Sequence, residues 1–290
     1  MKAKLLVQLD SDAAPSLFDR IVAVDAGAER LFSYGGVKPE QVQDFVHGAI
    51  FTRGQEDLSS TAIFVGGSDV SAGEEILSRA QKAFIGKLRI SLMLDSGGAN
   101  TTAAAAVLSI ESRLELKGKR AIILGGTGPV GMRVARLLLR RGAEARIGSR
   151  IRERAATACA AVAAQVGSSV PPPTAWPWRT DADMAAGLDG VEVVVSAGGA
   201  GVTLLTAAAR QAAKSIKVAV DLNAVPPAGI EGVEPMDKAR ALDGADVYGA
   251  LAVGGLKMKI HKAAIARLFE SNEHVLDAEE ILELGRSLAG

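Results

Sequence analysis

The stretch that decides the fold is AIILGGTGPVG, residues 121–131. An apolar run ends at Leu124, and glycines follow at positions 126, 128 and 131 in the spacing G-x-G-x-x-G. The next residues, MRVARLLLRRG, have the hydrophobic periodicity of a helix. A strand, a glycine-rich turn and a helix in this order predict the phosphate-binding turn of a dinucleotide-binding βαβ unit.

Each glycine of this turn has a separate task in such a unit. Gly126 allows the tight turn, Gly128 lets the backbone approach a pyrophosphate, and Gly131 lets the helix and the strand pack closely. The helix N-terminus then offers free N–H groups to the phosphates. A purely structural tight turn is the alternative. The cofactor-binding residues predicted here are Gly126, Thr127, Gly128, Pro129, Val130 and Gly131.

The end of the following strand predicts which dinucleotide is bound. An NAD site has Asp or Glu there for the ribose hydroxyls. Here the sequence is ARIGSRIRER, residues 145–154, in which Ser149, Arg150 and Arg152 precede the first carboxylate, Glu153. Because a guanidinium can bind a 2′-phosphate through two hydrogen bonds, these residues predict an NADP site. Under the alternative interpretation, the arginines only solvate the start of a helix.

Apolar runs and helical segments alternate along the whole chain. Segments such as KLLVQL, TAIFVG, RISLML, EARIGS, VEVVVSA and KVAVDLN predict strands, and Ala-rich or Leu-rich segments between them predict helices. The pattern predicts an α/β protein, with a Rossmann-type doubly wound parallel sheet and a smaller α/β substrate domain. We expect the substrate domain at residues 1–104, the NADP-binding domain at 105–269, and a C-terminal helix, 270–290, that packs back on the first domain.

Composition excludes several classes of protein. Lys and Arg together number 33, as do Asp and Glu, so no net positive charge attracts nucleic acid. The arginines at 133, 136, 140 and 141 have helical spacing and predict a solvated helix face. Cys159, the single cysteine, predicts a small buried helix residue and no internal disulfide.

Targeting and metal-binding patterns are also missing from the sequence. The N-terminal apolar run is interrupted at Asp10, which argues against a signal peptide or membrane span and predicts a cytoplasmic protein. The three histidines and the cysteine show no metal-ligand spacing, so no metal site is expected.

Three further places carry candidate site residues. Ala197 and Gly198 follow a predicted strand and are expected beside the cofactor. Asp221 ends another strand before VPP and is a candidate substrate-binding residue, although a turn cap explains it nearly as well. Lys257 and His261 lie four residues apart, on one face of a predicted helix, and an ordinary polar face is the alternative.

The chain resembles the NADP-dependent methylene-tetrahydromethanopterin dehydrogenases of one-carbon metabolism over essentially its whole length. The segments that carry the resemblance are DSDAAPSLFD (10–19), FTRG (51–54), STAIFVGG (60–67), LDSGGANTTAAA (94–105), GTGPVGMR (126–133) and GGLKMKIHKAAIARLFE (254–270). The resemblance implies that a methylene bridge is oxidised to a methenyl bridge, with hydride transfer to NADP. It leaves open whether methylene-tetrahydrofolate is also a substrate.

The resemblance also implies catalytic positions. Phe18 would pack on the pterin near the reacting carbon, and Thr102, Lys257 and His261 would orient the pterin. Asp95 would bind substrate as a neighbour of Lys257. Thr102 can equally belong to a helix start. The family further implies a crevice between the two domains and a homotrimer or other homo-oligomer.

Two rival functions stay open at this point. One is a shikimate-type or amino-acid NADP dehydrogenase, which also joins a small α/β domain to an NADP domain and often has a catalytic lysine. The other is a non-catalytic NADP sensor. Phe18, Thr102, Lys257 and His261 taken together favour neither rival.

Overall fold

The computed structural model describes residues 2–289. They form two units: unit 1 comprises the chain up to Thr101 together with the residues from Met258 onward, and unit 2 comprises Thr102–Lys257. The sequence predicted the second boundary after residue 269, whereas the division at Met258 falls inside a helix, Ala250–Arg267. The helix continues without a break across this division, so its secondary structure gives no sign of the boundary.

In chain order the elements are β1 (Leu5–Asp10), α1 (Leu17–Asp25), β2 (Arg30–Tyr34), α2 (Val42–Ile50), β3 (Thr61–Gly66), α3 (Val70–Lys82), β4 (Ser91–Leu94), α4 (Ala99–Glu111), β5 (Arg120–Leu124), α5 (Pro129–Arg140), β6 (Glu144–Ser149), α6 (Arg152–Val166), β7 (Thr174–Pro177), α7 (Asp181–Leu188), β8 (Val193–Ser196), α8 (Ala207–Ala212), β9 (Val218–Asp221), β10 (Lys238–Leu242), β11 (Ala245–Tyr248), α9 (Ala250–Arg267), β12 (Val275–Leu276) and α10 (Ala278–Ala289).

Unit 1 is built on a five-stranded parallel sheet in the order β12-β4-β3-β1-β2. Every residue of the central strand β3, TAIFVG, is buried, as expected for a strand covered on both faces. The core packs Leu9, Ile63 and Leu92 from the sheet against Val46 and Ile76 from helices α2 and α3. The carboxyl ends of β1, β3 and β4 therefore lie side by side at one edge of this sheet.

Unit 2 is built on a seven-stranded sheet in the order β10-β11-β9-β8-β5-β6-β7. All neighbours are parallel except the hairpin pair β10 and β11. From β5 the chain continues to β6 on one side and later to β8 on the other. The strand order therefore reverses at β5 and β8, which is where doubly wound sheets bind ligands. The predicted α/β class with a Rossmann-type sheet is confirmed.

Several strands were not predicted from the sequence, and each lies at or near the edge of a sheet. β2 alternates between exposed and half-buried residues and lacks a continuous apolar run. β7 falls in the proline-rich stretch and ends at Pro177 on the outer edge of its sheet, where a residue without an N–H is tolerated. Edge strands bury less apolar surface, so their sequences carry a weaker pattern.

Two expectations about α5 and α6 have opposite outcomes. Arg133 and Arg136 are only 4% and 5% exposed, so the predicted solvated arginine face is wrong for these two residues. Helical spacing identifies a face but not what covers it. Cys159 is buried on α6 as predicted, and burial raises the pKa of its thiol. Over residues 2–289, no helix is long and apolar enough to cross a membrane.

Candidate active site

The glycine-rich turn between β5 and α5 is held by close backbone packing. A Cβ atom on Gly131 would lie 2.5 Å from the Cα atom of Gly126, and a Cβ on Gly126 would lie 2.8 Å from the carbonyl oxygen of Ile123. The Gly126 N–H donates to the Gly148 carbonyl at 3.1 Å, which ties the turn to β6. Larger residues do not fit at 126 or 131 without a backbone shift.

Gly128 differs from these two glycines. No atom lies within 4 Å of the place where its Cβ would be, and its backbone is extended. Helix α5 begins at Pro129 with Gly128 as its N-cap, and no side chain caps the helix. The first-turn N–H groups and the space above Gly128 therefore fit an anionic pyrophosphate.

The turn after β8 contacts the turn after β5. Gly125 has a φ of +66°, and a Cβ at this position would lie 2.5 Å from the Cα atom of Gly198. The Ala197 N–H donates to the Leu124 carbonyl at 2.9 Å. The structure thus brings the predicted residues Ala197 and Gly198 to the same edge of the sheet as the glycine-rich turn.

A basic cleft of about 230 Å³ lies beside these turns, at the end of β6. Its lining is Gly125, Thr127, Ser149, Arg150, Ile151, Arg154, Trp178, Gly198, Gly199, Val202 and Leu204. None of these lining residues is acidic. The Ser149 hydroxyl accepts a hydrogen bond from the Ile151 N–H at 3.2 Å and so shapes the loop at the entrance of α6.

The sequence predicted Arg150 and Arg152 at this cleft, and the structure agrees for one of the two. Arg150 lines the cleft as expected, whereas Arg152 does not and Arg154 does. Arg150 precedes α6, which begins at Arg152, so helical spacing from Arg150 did not indicate which of the following arginines would reach the cleft. Arg154 is therefore the second cation of this cleft.

A second cleft, of about 430 Å³, lies at the carboxyl ends of β9 and β11, and its lining includes Asp221, Asn223, Pro227, Glu231 and Gly249. The Asp221 carboxylate accepts hydrogen bonds from the N–H groups of Asn223, at 3.1 Å, and Ile230, at 3.0 Å. Asp221 is only 2% exposed, and through these hydrogen bonds it supports the loop that forms the cleft. These contacts correspond to the turn-cap alternative.

In unit 1 an aromatic cluster gathers around His261. The imidazole stacks on the Phe64 ring, with centroids 5.7 Å apart and planes at 18°, and the Phe18 ring centroid is 6.2 Å away. Its Nδ1 lies 3.7 Å from Oδ2 of Asp95. Phe18 is 47% exposed, whereas His261 is fully buried. Phe18 therefore offers a ring surface to a ligand, and His261 lies behind that ring.

Asp95 is held by a threonine that the sequence prediction did not name. Its carboxylate accepts from the Thr101 N–H at 3.0 Å and from the Thr101 hydroxyl at 2.6 Å. The neighbouring residue, Thr102, is half-buried. Two adjacent threonines at a helix start are indistinguishable by type, so the sequence pattern does not single out Thr101 as a donor to Asp95.

Lys257 lies on α9, one helical turn before His261, as the sequence predicted from the spacing of four. It is half-buried, whereas Lys259 on the same helix is exposed. The substrate-binding and catalytic roles of these residues stay predictions.

The seven-stranded sheet, the glycine-rich turn at its switch point and the adjoining basic cleft define a Rossmann-type dinucleotide-binding protein. The chain belongs to the methylene-tetrahydromethanopterin dehydrogenase family. Residues 17–97 match the family described as "Methylene-tetrahydromethanopterin dehydrogenase, N-terminal".

Two proteins of Methylorubrum extorquens AM1 are similar to this chain. The "Bifunctional protein MdtA" is 46% identical over 291 residues, covering 100% of both chains. An "NAD(P)-dependent methylenetetrahydromethanopterin dehydrogenase" is 32% identical and covers 95% of both. The family membership rests on these full-length similarities.

Among solved structures, a shikimate 5-dehydrogenase from Mycobacterium fortuitum has a similar fold. The TM-score is 0.51 at 13% identity, with 98% of each chain covered. At this identity the likeness concerns the fold alone.

Proposed function

We propose that this protein oxidises the methylene bridge of methylene-tetrahydromethanopterin to the methenyl form and transfers the hydride to NADP. The observation that carries the proposal is the 32% identity, over 95% of both chains, to a protein named as an NAD(P)-dependent methylenetetrahydromethanopterin dehydrogenase. Phe18, Thr102, Lys257 and His261 also stand at the positions that the family resemblance implies for the site.

The proposed reaction does not require a general acid or a general base. A methylene carbon between two nitrogens loses hydride to give a cation shared by both nitrogens, so no proton has to leave in the same step. When bound, NADP supplies the nicotinamide ring that accepts the hydride. The task of the protein is to hold the reacting carbon in place and to shape the electrostatics around it.

Each site residue then has a physical role. The exposed ring of Phe18 packs on the flat pterin, and the buried imidazole of His261 supports that ring from behind. Lys257 and Thr102 donate hydrogen bonds to polar atoms of the pterin. The buried carboxylate of Asp95 provides a negative charge beside His261 that favours the nascent cation.

The preference for NADP over NAD is supported by the basic cleft. Arg150 and Arg154 line it, no acidic side chain does so, and Ser149 ends the strand where NAD sites have a carboxylate. The two guanidinium groups bind the 2′-phosphate through charge-assisted hydrogen bonds.

We also propose that the protein is a homo-oligomer, a trimer according to the family resemblance. The support is a row of exposed apolar side chains on α1, Leu17, Ile21 and Val24, at the i, i+4, i+7 spacing of one helix face. Light scattering on the wild type and on Ile21→Glu tests this. A lower mass for the variant is expected, and a monomeric wild type would contradict the proposal.

The reaction is tested by steady-state kinetics with methylene-tetrahydromethanopterin and methylene-tetrahydrofolate, each with NADP and NAD, with shikimate as a control substrate. We expect the highest kcat/KM with methylene-tetrahydromethanopterin and NADP. If NADP binds but neither methylene carrier is oxidised, the proposed reaction is wrong.

A further inference from the structure

The loop between β1 and α1, residues 11–16, is held by one buried carboxylate. Asp10, the last residue of β1, is 0% exposed. Its Oδ1 accepts from the Asp12 N–H at 2.9 Å and its Oδ2 from the Ser16 N–H at 3.1 Å. These two donors lie near the beginning and at the end of the loop. The Asp10 carboxylate thus closes loop 11–16 upon itself.

The Asp10 carboxylate is oriented from the sheet side. The Gln8 side-chain amide lies 3.4 Å from Oδ2 of Asp10, and the Gln8 carbonyl oxygen accepts from the Ser33 hydroxyl at 2.8 Å. The loop is also tied to its neighbours, because the Asp12 carboxylate accepts from both the N–H and the hydroxyl of Ser68, which follows β3. Loop 11–16 is therefore fixed to the ends of two strands.

The end of this loop is the start of α1. Ser16 is the N-cap of α1, and its hydroxyl accepts from the Asp19 N–H at 3.2 Å. Phe18 lies in the first turn of the helix, two residues after Ser16. A movement of the Ser16 backbone therefore moves the Phe18 ring relative to the His261 ring behind it.

We propose that Asp10 is a positioning residue of the reaction, which holds the first turn of α1 so that the Phe18 ring meets the pterin in the productive geometry. This inference rests on the proposed function. Because Asp10 is fully buried, we assign it an indirect role, without contact to the substrate. Its effect passes through the hydrogen bond to the Ser16 N–H, and misplacement of a positioning group by about 1 Å lowers turnover up to about a hundredfold.

The test is a double-mutant cycle of Asp10→Asn and Phe18→Ala. Asn keeps the volume of Asp10 but has one acceptor oxygen, so one of the two N–H groups loses its acceptor. We expect Asp10→Asn to lower kcat/KM for the methylene pterin about tenfold or more, with the KM for NADP within about twofold of wild type. In the Phe18→Ala background the same change should have little further effect. Full additivity of the two effects would overturn the inference.

A second pair of variants isolates the hydrogen bond. Ser16→Ala removes the capping hydroxyl, whereas Ser16→Pro removes both the hydroxyl and the N–H that donates to Asp10; the Ser16 φ of −55° suits proline. We expect a larger loss of pterin kcat/KM in Ser16→Pro than in Ser16→Ala. Equal losses would contradict the role of Asp10, even if Asp10→Asn itself does not fold.

Hydrogen exchange separates this inference from the proposed function. Asp10→Asn should accelerate amide exchange in residues 11–19, while the control Asp69→Ala, which removes the N-cap acceptor of α3, should accelerate it only near Ala72 and leave the kinetics unchanged. If the wild type oxidises no methylene pterin, the proposed function is wrong, and exchange still decides whether Asp10 holds the loop. Unchanged exchange in residues 11–19 would refute the inference directly.

Discussion

Gly131 packs on Gly126 so closely that a Cβ atom at 131 would lie 2.5 Å from the Gly126 Cα atom. The first turn of α5 is therefore in contact with the backbone that leaves β5. Gly128, only three residues earlier, has open space where its Cβ would be. Gly131 is therefore required for packing within the protein, whereas Gly128 leaves open space beside the turn.

This difference predicts opposite phenotypes for two alanine variants. Gly131→Ala forces a backbone shift, and we expect it to lower the free energy of unfolding by about 1–3 kcal/mol. Gly128→Ala should cost no more than about 1 kcal/mol in stability, since it changes only an N-cap residue, but its methyl group occupies the space above the turn and weakens NADP binding. Thermal unfolding of the cofactor-free protein and titration with NADP measure the two effects. Normal NADP affinity in Gly128→Ala would place the pyrophosphate elsewhere.

The arginines of the basic cleft predict cofactor choice. We expect Arg150→Ala and Arg154→Ala each to weaken NADP binding by about 1.5–3 kcal/mol through loss of a charge-assisted hydrogen bond, with NAD binding unchanged. Arg152→Ala is the matched control, because Arg152 does not line the cleft. The measurement is the Kd of both cofactors. A selective loss of NADP binding in Arg150→Ala and Arg152→Ala, with normal binding in Arg154→Ala, would instead favour the residues predicted from the sequence.

Lys257 and Lys259 offer a paired test of the pterin site. We expect Lys257→Ala to lower kcat or raise the KM for the methylene pterin, with the NADP affinity and the melting temperature nearly unchanged, because an orienting contact is lost and no core is opened. Lys259→Ala, on the exposed part of the same helix, should behave like wild type. A kinetically silent Lys257→Ala would remove Lys257 from the site.

The burial of His261 changes what its substitution should do. If His261 only oriented the pterin from a polar helix face, His261→Ala would have a kinetic effect without loss of stability. The structure buries the ring completely against Phe64, so truncation opens a cavity. We now expect a loss of about 2–4 kcal/mol in the free energy of unfolding, together with lower activity. Urea unfolding checks this, with the half-buried His47→Ala as the control. A fully stable His261→Ala would show that the site tolerates the cavity.

His274 predicts a pH dependence of stability. Burial, and then the positive charge of Arg267, lower its pKa below the ordinary value of 6.5, while Glu270 and Glu273 oppose the shift in part. The unfolded chain therefore takes up this proton at a higher pH than the folded chain. The stability is fully present above about pH 6.5 and is lost as the pH falls through the lowered pKa.

The measurement for His274 is the free energy of unfolding as a function of pH. His274→Gln cannot titrate, so its stability should fall less steeply than that of wild type between about pH 7 and pH 5. Parallel curves for the two proteins would show that His274 contributes nothing to the acid sensitivity.

The dinucleotide-binding turn was predictable from sequence because its requirements are local. A strand, three glycines and a helix lie within about twenty residues, and the close packing at Gly126 and Gly131 leaves no room for a larger side chain. The same holds for Arg150 at the end of β6 and for Lys257 and His261 at a spacing of four. Local geometry places all of these before any long-range contact is known.

Tertiary structure alone decided what covers each side chain. His261 is buried and Phe18 exposed, Arg133 and Arg136 are buried although their spacing suggested a solvated face, and the Thr101 hydroxyl donates to Asp95. The two donors to the Asp10 carboxylate, likewise, meet it only when loop 11–16 folds back onto the end of β1. Hydrophobic periodicity shows which residues share a face, but burial and hydrogen-bond partners depend on segments distant in the chain, because packing brings them together.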